Sequence, residues 1–326
     1  MDGRGVNPLR ARALPLWYHT LYTDGIHPEA RFPRNRYVRL LERLAPPEVG
    51  TTRPEHTSSL IRLHTSNPIR REHLLLAHDA AYVDRFLNGD LTEKEMKRIG
   101  LTPWTEVMIQ RTLVLMGGAL EATEHAVRHG GVAANMAGGT HHAHRTFGSG
   151  YCVFNDLAVC ALHALNNLDL NRVAVLDLDV HQGDGTATVL QDVDNALTVS
   201  VHCATNFPFR KATSDHDIPV PAGSGDMPYL EAVEEALDLC FDEKPDLLLF
   251  QAGVDGLATD ALGKLNVSRL GMKQRNDLVF TRAATANVPV VVFMGGGYAK
   301  PLKHTIDAFE DLFLQAARFA IEWPRE

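Results

Sequence analysis

RVAVLDLDVHQGDG, residues 172–185, decides the fold. Its first nine residues are a short, nearly continuous apolar run with no wet face, and buried parallel strands read this way. Three more runs match it: NALTVSVH (195–202), PDLLLFQAGV (245–254) and VPVVVFMGG (288–296). Each follows a helix-like or loop segment, and that alternation indicates a mostly parallel α/β sheet covered by helices on both faces. A long helix is predicted from an N-cap at Thr102, with Pro103 opening it, to Arg128, stopping at Gly130-Gly131. A second, amphipathic helix is predicted near the end, where Ile306, Phe309, Phe313 and Ala316 recur at three- and four-residue spacing.

The polar residues fall where these strands stop. The first run ends in Asp177-Leu178-Asp179-Val180-His181, with Asp184 close behind. The third ends in Gly253-Val254-Asp255 and the fourth in Gly295-Gly296-Gly297-Tyr298. Ligands of open parallel sheets sit beyond the carboxyl ends of the strands, so three strands deliver ionisable or hydroxyl groups to one edge. Asp177, Asp179 and His181 are two apart, and the period of a strand would put them on one side. Carboxylates in an apolar strand are costly unless a cation compensates them. A divalent metal does so, with Asp179, His181 and Asp255 as ligands and a position left for water, the pattern of a catalytic zinc site. An Asp-x-His alone is a weak signal; a second apolar strand ending in aspartate strengthens it.

GGTHHAH (138–144) is the other concentration of chemistry. It reads either as a histidine-rich surface loop or as a further strand end, because VAANMA (132–137) precedes it. Tandem histidines beside a metal could supply a general base and an electrostatic partner. Asp177 and Asp184 are then candidates to orient the imidazoles. The glycines before Tyr298 either make a tight loop or let the phenol point inward as an oxyanion donor. Metal, base and oxyanion donor together describe metal-assisted amide hydrolysis.

Composition sets the outer limits. Hydrophobic content of 45% and charged content of 22% exclude disorder, collagen and coiled coil. The 32 basic against 40 acidic side chains, net -8, argue against general nucleic-acid binding and mildly favour a cationic ligand. Roughly two domains would be the prior for this length. Groups from His141 to Tyr298 must meet at one edge with no linker between, so residues 1–326 read as one catalytic domain. Cys152, Cys160, Cys203 and Cys240 form no CxxC pair and read as buried thiols of a reducing compartment. The start has no apolar run of signal-peptide length, and no run spans a bilayer, so a cytoplasmic protein is expected. PPEVGTTRP (46–54) and PVPAGSGDMP (219–228) read as loops.

AGGTHHAHRTFGSGYCVFND (137–156), VLDLDVHQGDGT (175–186), LTVSVH (197–202), QAGVDGLATDALGKLNVS (251–268) and GGGY (295–298) together resemble the zinc-dependent histone deacetylase family, in its order. PWTE (103–106), NFPFRK (206–211) and DALGKL (260–265) are most similar to its class IV and bacterial branch. The resemblance implies the arginase/deacetylase-like α/β fold, with the active site at the C-terminal strand ends. It implies hydrolysis of an acetyl or longer fatty acyl group from the ε-amine of lysine in a protein or peptide. By the same pattern Asp179, His181 and Asp255 hold zinc, with Fe²⁺ as the other candidate. His141 pairs with Asp177 and His142 with Asp184; the second histidine takes the general base and acid role, and Tyr298 polarises the acyl carbonyl. Asp177 and Ser200, with carbonyls of Asp179, His181 and Val201, match a monovalent-cation site for K⁺. Gly150, Tyr151, Phe207, Phe209 and Leu262 fall on the substrate tunnel. Tyr151 stands where the family often has phenylalanine, so the wall carries an extra hydroxyl.

Two rival enzymes share this resemblance. A binuclear manganese ureohydrolase needs further bridging carboxylates, but positions 183 and 257 are Gly and Leu. An acetylpolyamine amidohydrolase favours an acidic gatekeeper, and the matching position is Leu262. A non-catalytic acyl-lysine-binding scaffold would be expected to lack one of the catalytic groups, and all are present.

Overall fold

The computed structural model describes residues 13–45 and 60–324. It has eight strands: β1 (Leu14–Tyr18), β2 (Ile61–Thr65), β3 (Val132–Asn135), β4 (Val173–Asp177), β5 (Ala196–Cys203), β6 (His216–Val220), β7 (Leu247–Gln251) and β8 (Val290–Phe293), and the four apolar runs become β4, β5, β7 and β8. They form one sheet in the order β2-β1-β3-β8-β7-β4-β5-β6, every pair parallel. All residues of β3, β4, β7 and β8 are buried, which is why these runs show no alternation. These four strands are adjacent, so the residues that follow them emerge side by side.

Helices fill the connections: α1 (Leu21–Asp24), α2 (Asn35–Leu44), α3 (Arg71–Ala77), α4 (Ala80–Leu87), α5 (Glu93–Ile99), α6 (Met108–His129), α7 (Asp156–Asn167), α8 (Asp184–Leu190), α9 (Asp226–Asp242), α10 (Arg269–Ala286) and α11 (Lys303–Glu322). α6 and α7 pack together against one face of the sheet; α9, α10 and α11 lie in a row against the other. Ile306, Phe309, Phe313 and Ala316 are the buried stripe of α11, as their spacing predicts. No helix among the described residues is long and apolar enough to cross a membrane. All four cysteines are buried and free.

Three expectations need correction. The long helix α6 opens at Met108 rather than at Thr102-Pro103. Tertiary contacts hold the preceding residues out of it: Thr105 Oγ1 donates to the Gly25 carbonyl at 2.8 Å, and Trp104 packs edge-on against Phe86. PVPAGSGDMP is only partly loop, because Pro219 and Val220 finish β6 and α9 opens at Asp226. β6 is an edge strand, where a proline that cannot donate is tolerated. β4 stops at Asp177, so Asp179 and His181 lie beyond the strand and its period does not align them. Backbone bonds do so instead: Leu178 N donates to Gln251 O at 3.0 Å and Cys203 N to Val180 O at 2.9 Å, stitching the segment between β7 and β5. The 46–54 loop lies outside the described residues.

Candidate active site

Asp179 and His181 follow β4, and Asp255 follows β7, its neighbour in the sheet. All three are buried, and their ligand atoms lie within 4.8 Å of one another. His181 Nδ1 is 3.0 Å from Asp179 Oδ1 and 3.1 Å from Asp255 Oδ2. The remaining carboxylate oxygens accept backbone N–H groups, Gly296 N on Asp179 at 2.8 Å and Val180 N on Asp255 at 2.9 Å. A Cβ at Gly296 would collide with both carboxylates, so only glycine lets the β8 turn approach this closely.

The electrostatics show what this cluster lacks. Burial, then the Asp179 charge, push the Asp255 carboxyl up to about 7. Burial opposes charge on His181, yet the two carboxylates outweigh it and raise the imidazole to about 10. A divalent cation among the three convergent ligand atoms would relieve the repulsion between the two buried carboxylates. Two carboxylate oxygens and one imidazole nitrogen suit Zn²⁺ or Fe²⁺. The donor set fits a metal.

The tandem histidines stand beside it. His141 Nδ1 contacts Asp177 Oδ2 at 2.6 Å, and His142 Nδ1 contacts Asp184 Oδ1 at 2.6 Å. A carboxylate only accepts, so each Nδ1 carries a proton; the other nitrogen of His141 lies 3.8 Å from Asp179 Oδ1. The loop that carries them is clamped from α7: Asp156 accepts from Gly139 N and Thr140 N, and Asn155 donates to Ala143 O at 3.1 Å while capping the helix. His144 also reaches Asp184, at 3.2 Å.

One cavity of about 520 Å³ opens onto both groups. His141, His142, Asp179, His181 and Tyr298 line it, and so do all five expected tunnel residues, Gly150, Tyr151, Phe207, Phe209 and Leu262. Phe207 packs T-shaped against His142 with ring centroids 4.8 Å apart, whereas Phe209 is 91% exposed at the rim. The wall facing His142 is thus Phe207, not Phe209. Gly150 has φ +52°, and a Cβ there would press on the His142 ring; Tyr151, with φ 67°, continues the turn beside Tyr298, ring centroids 5.8 Å apart. Tyr298 is positioned through its backbone, whose N–H donates to Asp260 Oδ2 at 2.6 Å. Burial pushes its phenol well above the ordinary value, so it stays protonated and can donate. Burial also raises the Cys152 thiol well above its usual range, which makes it a poor nucleophile despite lining the cavity. Asp177 and Ser200 face each other in the β4–β5 register, both buried, with Ser200 Oγ 3.0 Å from His202 Nδ1.

Several site residues gave no signal of their own in the sequence. Asn206 approaches His181 Nε2 at 3.4 Å and bridges Leu262 O and Lys264 N. Arg275, fully buried, donates to Gly253 O at 2.6 Å and to Ala252 O at 3.3 Å, fixing the turn that leads to Asp255. Arg36 lies over the Tyr298 ring, 6.0 Å from its centroid. Asn206 falls inside NFPFRK and was within reach of motif reading; Arg36 and Arg275 lie outside every motif.

The histone deacetylase domain model matches residues 30–310. The chain is 40% identical over 305 residues to an uncharacterized protein of Picosynechococcus sp., covering 93% of this chain and 98% of that protein. It is 29% identical over 252 residues to histone deacetylase 2 of Arabidopsis thaliana, with 74% of this chain and 65% of the relative covered. Histone deacetylase B of Dictyostelium discoideum is 29% identical over 260 residues, covering 73% and 60%. The chain thus spans about two thirds or less of the length of these two relatives.

Proposed function

The chain belongs to the histone deacetylase family, and on that premise we propose that it is a zinc-dependent amidohydrolase removing an acyl group from the ε-amine of lysine in a protein or peptide. One observation carries the reading: Asp179 and His181 of a three-ligand cluster, the two carboxylate-paired histidines His141 and His142, and the Tyr298 phenol line a single cavity. Asp179, His181 and Asp255 would hold the metal, which when bound supplies Lewis acidity toward water and the acyl oxygen. The chain's own groups do the rest. His142, neutral and tethered by Asp184, accepts the proton of the attacking water through Nε2 and returns it to the leaving amine. His141, charged against Asp177, offsets negative charge on the acyl oxygen, and the Tyr298 hydroxyl donates to that oxygen. Gly150, Tyr151 and Phe207 flank the lysine stem, with Phe209 and Leu262 at the mouth. Asp177 and Ser200, with carbonyls of Asp179, His181 and Val201, would hold K⁺ beneath the site.

A small acylated amine is the other substrate class within the family, and Leu262, apolar and 43% exposed at the rim, offers it no charge. The deciding experiment is release of the acyl group from a fluorogenic acyl-lysine peptide, run beside acetylspermidine. Chelator-sensitive cleavage of the peptide is the expected result. Cleavage of acetylspermidine alone would transfer the assignment to polyamines, and no cleavage of either would end the hydrolase reading.

A further inference from the structure

The cavity wall is not wholly apolar. Beside the exposed Phe209 and Leu262 it carries Arg36, Tyr37, Arg111 and Leu115, each less than 5% exposed. Among the described residues neither buried guanidinium has a carboxylate in salt-bridge range. Arg36 Nη2 donates to Tyr37 Oη at 3.1 Å and Nη1 approaches Gly297 O at 3.5 Å, while Nε has no hydrogen-bond partner among the described residues. Arg111 Nη2 donates to the same Tyr37 hydroxyl at 3.4 Å, and its Nε to Tyr22 O at 3.3 Å.

Two positive charges thus meet at one phenol in a place water barely reaches, with backbone carbonyls and the Phe32 and Tyr37 ring faces as their other neighbours. Buried charge without a counter-charge is costly, and the metal cluster cannot supply one, because two carboxylates only neutralise a divalent ion. Along the whole cavity wall Arg36, Arg98, Arg111 and Lys264 are cationic, and the one described carboxylate is Asp179, a metal ligand. An anion in the cavity beside the Tyr37 hydroxyl would satisfy both guanidiniums, through charge-assisted bonds that a methyl terminus cannot make.

We propose that the acyl group taken by this cavity carries its own carboxylate: the substrate is a dicarboxylic monoacyl-lysine of the succinyl or glutaryl class, its distal carboxylate held by Arg36 and Arg111. This rests on the deacylase reading above and names its acyl class. The reaction is ordinary hydrolysis: the amide C–N bond breaks, one water provides the new C–O bond and the proton for the amine, and the products are lysine and a dicarboxylate.

Succinyl and butyryl have the same four-carbon chain and differ only in a terminal carboxylate against a methyl, so this pair isolates the charge. With the metal-loaded full chain, kcat/KM for a succinyl-lysine peptide should exceed that for the butyryl-lysine peptide by at least about tenfold, the scale of one charged hydrogen bond. Calorimetry on the metal-free protein should show the succinyl peptide binding at least about tenfold more tightly. Arg111→Met should bring both ratios toward one. Equal or better handling of butyryl by the unaltered protein overturns the proposal while leaving deacylation intact. If acetyl, butyryl and succinyl peptides all resist cleavage, the deacylase reading fails instead, and the binding ratio alone decides whether the arginine pair takes a carboxylate.

Discussion

His141 and His142 each present Nδ1 to a carboxylate at 2.6 Å, and both are buried, yet their protonation differs. Burial opposes charge on either ring. Around His141 it is outweighed by Asp177 together with Asp179, whose Oδ1 lies 3.8 Å from Nε2, and the imidazole rises to about 9. Around His142 burial prevails, reinforced by the His141 ring at 4.0 Å, and the imidazole falls to about 4 despite Asp184. Asp184 is also shared with His144. A hydrogen bond of fixed length therefore does not decide protonation; the next charge beyond it does. The surroundings thus favour charge on one imidazole and neutrality on the other, which suits them to the different roles proposed for them.

The largest expected effect tests that division directly. His142→Ala should lower kcat/KM on an acyl-lysine peptide by about 10³- to 10⁴-fold, the upper range for a general acid–base. His141→Ala should lose less, because it removes charge and not the proton carrier. Equal losses would break the comparison. Tyr298 lies outside both dyads and supplies the control. Tyr298→Phe should cost about 10²- to 10³-fold, with metal content unchanged, since its backbone rather than its ring is tied to Asp260. Near-normal turnover in that variant would remove the oxyanion role.

How far this site could be read from sequence depends on where each restraint originates. The apolar runs at β4, β5, β7 and β8 needed no tertiary information, because burial on both faces writes itself into every residue. The candidate metal ligands are only half legible in strand periodicity. Asp179 and His181 do meet Asp255, but through the Leu178 and Val180 backbone bonds to neighbouring strands, not through strand periodicity. Pairing His141 with Asp177 rested on resemblance, since 36 residues separate them and no local pattern joins them. Arg36 and Arg111 escaped altogether. Each sits on an ordinary helix, and their meeting at Tyr37 is a product of packing alone.

A third buried imidazole separates burial from carboxylate effects. His78 has no acidic partner: its Nε2 accepts from Asn155 N at 2.9 Å, and its Nδ1 donates to His144 O at 3.1 Å. Burial lowers it from 6.5 to about 4. A folded pKa below the unfolded one means the native state binds fewer protons in that window. The stability it contributes is complete above about pH 6.5 and is lost as pH falls toward 4. Between pH 7.5 and pH 5 the loss should be about 2 kcal/mol by urea unfolding. His78→Gln, weaker overall, should show a correspondingly flatter pH dependence. An unchanged slope would mean that burial is not what holds His142 low either.

The smallest effect belongs to the rim. Phe207 packs T-shaped against His142 and is part of what desolvates that dyad, whereas Phe209, 91% exposed, meets Phe207 at 6.3 Å between centroids and shields little. Phe209→Ser should change unfolding free energy by no more than about 0.5 kcal/mol, as for surface positions generally. Phe207→Ser should cost clearly more and should also weaken turnover, because water admitted beside His142 removes the burial that keeps it a free base. If Phe209→Ser proved the more damaging of the two, the dyad would owe its dry environment to the rim, and the wall assigned to Phe207 would have to be given to Phe209.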